Sequence, residues 1–293
     1  TRSFHVTGVQ TCALPIYGEP EMFESDVPPM GALGIKQPRV YFGEQTTNYS
    51  IVGGSGGIEL DYPDDTAASG QQNTTYDGSG GVSVGSPLNK LLFAARFGEL
   101  NILLSEQVTD KSRILFNRTP EERVKALAPW LTLDSDPYPA VIDGRIVWIV
   151  DGYTTSAEYP YSRVESFSSA IADRQTPASS IALDKVNYIR NSVKATVDAY
   201  DGTVSFYVVD DTDPLILAYR AMFPSLFRDG STMPADLRAH VRYPELLLQV
   251  QAAVYGLYHM TSPDVFYNRE DLWTVASELA AANEQQQSAQ PME

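Results

Sequence analysis

Cysteine is almost missing from this chain: among 293 residues there is one, Cys12. A lone thiol excludes an intrachain disulfide and a thiolate metal cluster. Histidine is scarce too, with three in all (His5, His240 and His259). A zinc site would therefore lean on carboxylates, an unusual donor set for that metal. Positive charge is in short supply: 21 Lys and Arg stand against 37 Asp and Glu, a formal net charge of -16. Phosphate contacts need a basic face, so general nucleic-acid binding is excluded, and electrostatic docking on anionic lipid is disfavoured for the same reason. Long apolar runs are absent as well. The nearest, 88–104, is interrupted by Lys90, Arg96 and Glu99 and falls short of the ~18 apolar residues of a membrane span.

What is present is the material of a large core. Hydrophobic residues make up 43% of the chain, including 17 Tyr and 11 Phe, which fits a packed domain and not a disordered one. The ends read differently. Residues 6–16, V-T-G-V-Q-T-C-A-L-P-I, are similar to the in-frame translation of a DNA sequencing-adapter oligonucleotide. A signal-peptide core is excluded by Thr7, Gln10 and Thr11 inside the run and by the missing small-residue cleavage site. Segment 1–16 is accordingly set aside as artefact, and Cys12 and His5 go with it.

The interior divides into 17–165, a Ser/Ala-rich linker at 166–183 punctuated by Pro177, a second part at 184–280 and a polar, truncated tail at 281–293. Short strands are predicted at 37–43 and 47–52. Between Gly53 and Gly85 the Gly, Ser, Asp and Asn content predicts a long loop or partly ordered lid. Ser86 followed by Pro87 is a cap and first position for a helix to about Gln107, apolar on most sides and expected to be deeply buried. Thr119-Pro120-Glu121-Glu122 opens a helix ending near Trp130. Asp143-Gly144 turns a hairpin between 138 and 153, and Asp201-Gly202 turns another between 192 and 209. The shared Asp-Gly-[Arg/Thr]-[Ile/Val] pattern hints at a duplicated unit. Asp213-Pro214 starts a helix to about Phe227, Pro234 a short one to Val241, Pro244 a longer one and Pro263 a last one. The fold class is therefore α+β: antiparallel hairpins packed with buried helices, the C-terminal third mainly helical.

Chemistry-bearing patterns are few. The glycine-rich loop before Pro87 could offer N–H groups to an anion, but it lacks the Gly-Lys-[Ser/Thr] ending of a phosphate loop, and Asp77 would repel phosphate. A structural loop is the better reading. No GxSxG, HExxH or GxGxxG set is present. Aspartates cluster as Asp64/Asp65, Asp134/Asp136 and Asp210/Asp211/Asp213. Such loops could hold calcium, or raise one carboxyl as a general acid, although EF-hand spacing is missing and aspartate at a turn is more often a turn-former or helix cap. Asp134, Asp136, Asp210, Asp211 and Asp213 are the metal candidates, with calcium the ion considered. His240, beside Arg238 and Arg242, reads as a surface or interhelix contact, and His259 as a cation near a helix C-terminus.

Long strings carry a resemblance. P-R-V-Y-F-G-E (38–44), T-Y-D-G-S-G-G-V (75–82), L-T-L-D-S-D-P-Y-P (131–139), W-I-V-D-G-Y-T-T-S (148–156), N-Y-I-R-N-S-V-K-A (187–195), V-D-A-Y-D-G-T-V (197–204), L-R-A-H-V-R-Y-P-E (237–245) and F-Y-N-R-E-D-L-W (266–273) occur in order. Through them the chain resembles uncharacterised protein family UPF0182, large multi-pass membrane proteins of actinobacteria and related bacteria. The resemblance implies an N-terminal membrane bundle followed by a large extracytoplasmic region, to which this chain corresponds. It supplies no catalytic or cofactor residues.

The expectation is a non-catalytic extracytoplasmic domain at the cell membrane, serving envelope binding, assembly or transport. Its expected partners are the protein's own membrane-spanning region and envelope proteins, lipids or glycans, with no nucleic acid. Two alternatives stand beside it: a calcium-dependent envelope hydrolase using the Asp-rich loops, and a regulatory module that holds a partner through its hairpins.

Overall fold

The computed structural model of the chain describes residues 25–26, 29–30, 34–54, 59–63, 69–164 and 185–273. Residues 1–16, 166–183 and 281–293, expected to be artefact, linker and tail, lie outside them, as do Asp64 and Asp65. The architecture is α+β, built on a six-stranded sheet. Its path runs β13 (Phe227–Asp229), β12 (Val204–Val208), β11 (Tyr188–Asp198), β10 (Arg145–Ser156) and β8 (Thr132–Leu133), with β9 (Tyr138–Ile142) also paired to β10.

The longest strands are the central ones, and they have the composition for it. β10 reads R-I-V-W-I-V-D-G-Y-T-T-S and β11 reads Y-I-R-N-S-V-K-A-T-V-D, rich in β-branched and aromatic residues. Six consecutive residues in each are buried, so both faces of the sheet are covered here. On one face Val150, Val193, Ala195, Val197 and Phe206 pack under Val124 of α3 (Pro120–Leu127), Ala128 at its C-cap and Ile216 of α4 (Pro214–Met222). On the other, Ile149 and Tyr207 pack with Tyr138, Ala140, Met233 and Leu237 of α5 (Ala235–Ala239). Tyr153 continues that layer against Leu246 and Val250 of α6 (Glu245–Tyr258). The Pro263 start gives α7 (Pro263–Asn268).

The β9–β10 turn follows its sequence signal: Asp143 and Gly144 both have positive φ, 53 and 79, as a two-residue primed hairpin turn requires. The second Asp-Gly does not repeat that geometry. A five-residue connection, 199–203, joins β11 to β12, and only its Gly202 has positive φ.

Ahead of this sheet stand smaller units. β3 (Ser50–Val52), β7 (Arg113–Leu115) and β6 (Val82–Ser83) form one sheet; β4 (Glu59–Pro63) and β5 (Gln71–Thr74) form a ladder; β1 (Ser25–Asp26) pairs with β2 (Pro29–Met30). The stretch expected as a continuous loop therefore carries strands, β4 to β6, whose polar sequences hide them.

Other expectations are corrected. Residues 37–43 make no strand: Gln37 has one isolated bridge to Arg145, and the Tyr41 and Phe42 N–H groups both donate to the Ala199 carbonyl. The helix from Pro87 breaks at Gly98, which adopts a left-handed conformation (φ 71), giving α1 (Pro87–Phe97) and α2 (Asn101–Leu104). It is not deeply buried, since only Ala94 and Ile102 are. The helix from Pro214 stops at Met222, because Phe223 precedes Pro224 and such a residue is driven out of the helical region. Phe227–Asp229 then becomes a strand parallel to β12.

Candidate functional site

At the centre of the sheet, within the buried runs of the two longest strands, Asp151 of β10 lies directly opposite Lys194 of β11. Both are nearly sequestered, 6% and 3% exposed, and burial on that scale demands a counter-charge. The Lys194 ammonium is ion-paired to Asp151 Oδ1 and also donates to the Arg242 carbonyl at 3.1 Å. Asn191 Nδ2 donates to the same carboxylate at 3.0 Å. Burial pushes the Asp151 carboxyl above its ordinary range against the pull of Lys194 and Asn191.

These bonds fix the connection between α5 and α6. Tyr138 OH accepts the Arg242 N–H at 3.0 Å, and the Arg242 guanidinium lies 4.5 Å from the centroid of the Tyr138 ring. Between this connection, α6 and β11 opens a cleft of about 540 Å³, lined among others by Arg190, Asn191, Lys194, Arg242, Leu247 and Gln251. Arg190 is held at the rim by Asp210 at 2.9 Å and by Thr212 at 3.1 Å. The lining is net positive in a chain of formal charge -16.

The aspartates singled out from sequence do not converge. Asp134 is buried and accepts the Tyr153 hydroxyl at 2.8 Å, while Asp136 is exposed and donates its own N–H to Asp134. Burial, with Asp134 as neighbour, pushes the Tyr153 phenol well above its usual range. Asp210 is paired with Arg190 and caps its own turn through Thr212; Asp211 is exposed. Asp213 is fully buried and accepts from Thr154 Oγ1 and Ser192 Oγ at 2.5 Å each, Tyr188 OH at 2.7 Å and the Leu215 N–H at 3.0 Å. Burial alone would raise its pKa, but the Ser192, Thr154 and Tyr188 hydroxyls outweigh that and hold it below the usual carboxylate range. Ser192 reaches this site because a bulge in the β10–β11 register skips it. Among the described residues no group of three or more His, Cys, Asp or Glu is placed to hold a metal ion. His240 Nδ1 lies 2.9 Å from the Asp236 carbonyl, and His259 caps α6 and stacks on Trp273 at 4.1 Å.

The glycine-rich loop has a structural occupation. Its Ser79 N–H donates to Asp201 Oδ1 at 2.8 Å, its Gly80 N–H to Tyr76 OH at 2.9 Å, and Asp77 accepts a short bond from Tyr200 OH. A side chain at Gly80 would collide with the Asp201 carbonyl. Arg145 clamps the far side of that turn, bonding Asp198 at 2.8 Å and Asp201 at 2.6 Å. Burial and the Asp77 bond push the Tyr200 phenol up to about 12.

One surface stands apart. Leu88, Leu91, Leu92, Leu100 and Leu104 of the α1–α2 unit are between 54% and 73% exposed. Exposure of several large apolar side chains close together in the chain is a mark of interaction surfaces.

Sequence reading passed over Asp151, Asn191, Lys194, Arg190 and Arg242. A signal was there: one charge sits mid-run in W-I-V-D-G-Y and another in S-V-K-A-T, where a buried strand tolerates only a paired charge.

The chain belongs to uncharacterised protein family UPF0182, whose family model it matches over residues 6–292. It is 52% identical over 263 residues to a UPF0182 protein of Kineococcus radiotolerans, covering 88% of this chain and 26% of that one. A UPF0182 protein of Leifsonia xyli subsp. xyli is 50% identical over 264 residues, 89% of this chain and 27% of the relative. One from Tropheryma whipplei is 48% identical over 262 residues, 88% and 27% respectively. The chain thus spans about a quarter of the length of these relatives. No solved structure matches it. No helix among the described residues is long and apolar enough to cross a membrane.

Proposed function

We propose that this chain is a non-catalytic extracytoplasmic domain of a multi-pass membrane protein, working in cell-envelope binding, assembly or transport. Its α1–α2 leucine face docks on the membrane-spanning remainder of the longer polypeptide. The observation that carries the reading is that face: five large exposed apolar side chains on two consecutive helices and the link between them. Such a surface is stabilised only when something covers it. The relatives' extra length supplies a candidate cover within the same polypeptide. The non-catalytic part draws support from the buried carboxylates Asp134, Asp151 and Asp213, each bound to internal donors.

The test is co-expression of this chain with the Kineococcus radiotolerans relative from which the matching region has been deleted. Co-purification from detergent-solubilised membranes, lost in the double variant Leu91→Ser/Leu92→Ser, is the expected result. Equal recovery of wild type and variant overturns the docking. Alkaline phosphatase fused after the matching region of the full-length relative should be active; an inactive fusion overturns the extracytoplasmic placement.

A further inference from the structure

We infer that the cleft between β11 and the α5–α6 connection binds an organic anion, a single carboxylate or phosphate group carried on an apolar chain. This is independent of the leucine-face docking.

The cationic groups of the lining are not equivalent. Lys194 is neutralised by Asp151 and tied to the main chain at Arg242. Arg190 is neutralised by Asp210. Arg242 alone among these three has no carboxylate partner among the described residues; its guanidinium is exposed and rests on the Tyr138 ring. Stacking, together with the bond from its N–H to Tyr138 OH, holds it in place without satisfying its donors. A planar guanidinium fixed in this way presents a fork that matches one carboxylate or one phosphate. Beside it, Tyr243 OH anchors Gln251 through Oε1 at 2.6 Å, leaving the Gln251 amide nitrogen without a partner among the described residues.

The remaining wall is apolar: Ile189, Val241, Pro244 and Leu247. A volume of about 540 Å³ lies in the range of small-molecule sites. One uncompensated cation suits one anionic group and not a polyphosphate, and the apolar wall suits a chain attached to it. The strongly acidic remainder of the surface repels anions at long range, so binding is short-range and depends on the fork.

The experiment is calorimetric titration of the chain with hexanoate and hexyl phosphate, with hexanol and inorganic phosphate as the half-ligands. A single saturable site for hexanoate or hexyl phosphate is expected, with both half-ligands at least about tenfold weaker; the tighter of the two anions identifies the group. Arg242→Gln should weaken binding about tenfold or more, the loss of one charge-assisted fork, while the thermal midpoint falls by no more than the loss of one exposed cation–π contact. Arg242→Lys, which keeps the charge and loses the fork, should recover only part. In the wild-type chain the Asn191 and Gln251 side-chain amide resonances should shift on titration, a readout that needs no variant. Absence of saturable binding at millimolar ligand overturns the proposal. So does binding unaffected by Arg242→Gln, or hexanol binding as tightly as hexanoate.

Discussion

Replacing Asp213 by alanine should be among the most damaging single changes available in this chain. The carboxylate caps α4 through the Leu215 N–H and takes three hydroxyl donors from β10 and β11. Loss of the cap costs about 1 kcal/mol. The three hydroxyl bonds to a charged acceptor would each be worth about 1.5–3 kcal/mol if left wholly unsatisfied. They are not left so. Thr154 Oγ1 and Ser192 Oγ lie 3.2 Å apart and can pair with each other, and the half-buried Tyr188 hydroxyl can turn to water. About one such loss survives, so Asp213→Ala is expected to cost about 2.5–4 kcal/mol in all. Asp213→Asn keeps the cap and one acceptor oxygen and should cost about half as much.

Equilibrium urea unfolding, followed by tryptophan fluorescence at neutral pH, measures both variants, with the slope checked for constancy. The pH dependence supplies an independent sign. Because the folded pKa of Asp213 is depressed, its contribution is fully present above the unfolded value of about 3.9 and is lost as pH falls through the folded value. Wild type should therefore lose stability faster than Asp213→Asn on acidification below about pH 4, by at most about 1.4 kcal/mol per pH unit, the slope of one proton. A cost under about 1 kcal/mol for Asp213→Ala, or parallel acid curves for wild type and Asp213→Asn, would refute this account of the residue.

Lys194→Met should cost about 3–5 kcal/mol by stranding Asp151 in the sheet, and adding Asp151→Leu should restore most of it; denaturant midpoints of the single and double variants decide. Gly202→Ala places a methyl 2.6 Å from the Phe42 ring at a φ of +67, and should lower stability by about 2 kcal/mol or more in thermal unfolding. Millimolar calcium should leave the thermal midpoint of the wild-type chain unchanged. A rise that disappears in both Asp134→Asn and Asp136→Asn would instead establish a calcium site at that loop.

The legible parts of the fold were those whose cause lies within a few residues. Ser86, Thr119 and Asp213 each cap a helix with proline at its first position, and each cap bond runs to an N–H two or three residues on. Asp143-Gly144 specified its own turn. What was not legible depended on partners far along the chain. Asp213 was readable as a cap, but Thr154 lies 59 residues before it, and the hydroxyl reaches it only through the sheet. Asp151 and Lys194 are 43 residues apart and meet only once the β10–β11 register is set. The leucines of α1 and α2 predicted burial because apolar residues usually find cover; no periodicity can say that none of the described elements supplies it.

The glycine-rich loop shows how a pattern that invites a ligand reading can be answered by the fold itself. Its N–H groups could serve an anion only if they were free, and the Asp201 carboxylate and the Tyr76 hydroxyl already hold two of them. The glycines are needed because the loop's backbone lies against the backbone of the Asp201 turn, with no room for a side chain at Gly80. Two of the family-like strings, 75–82 and 197–204, are thus one contact seen from its two sides. That contact joins the small β3–β7–β6 sheet to the central one, with Phe42, Tyr76, Leu115 and Tyr200 packed beneath it. Chemistry available to an external ligand is therefore to be sought where a charged group lacks an internal partner. In the cleft, that group is Arg242.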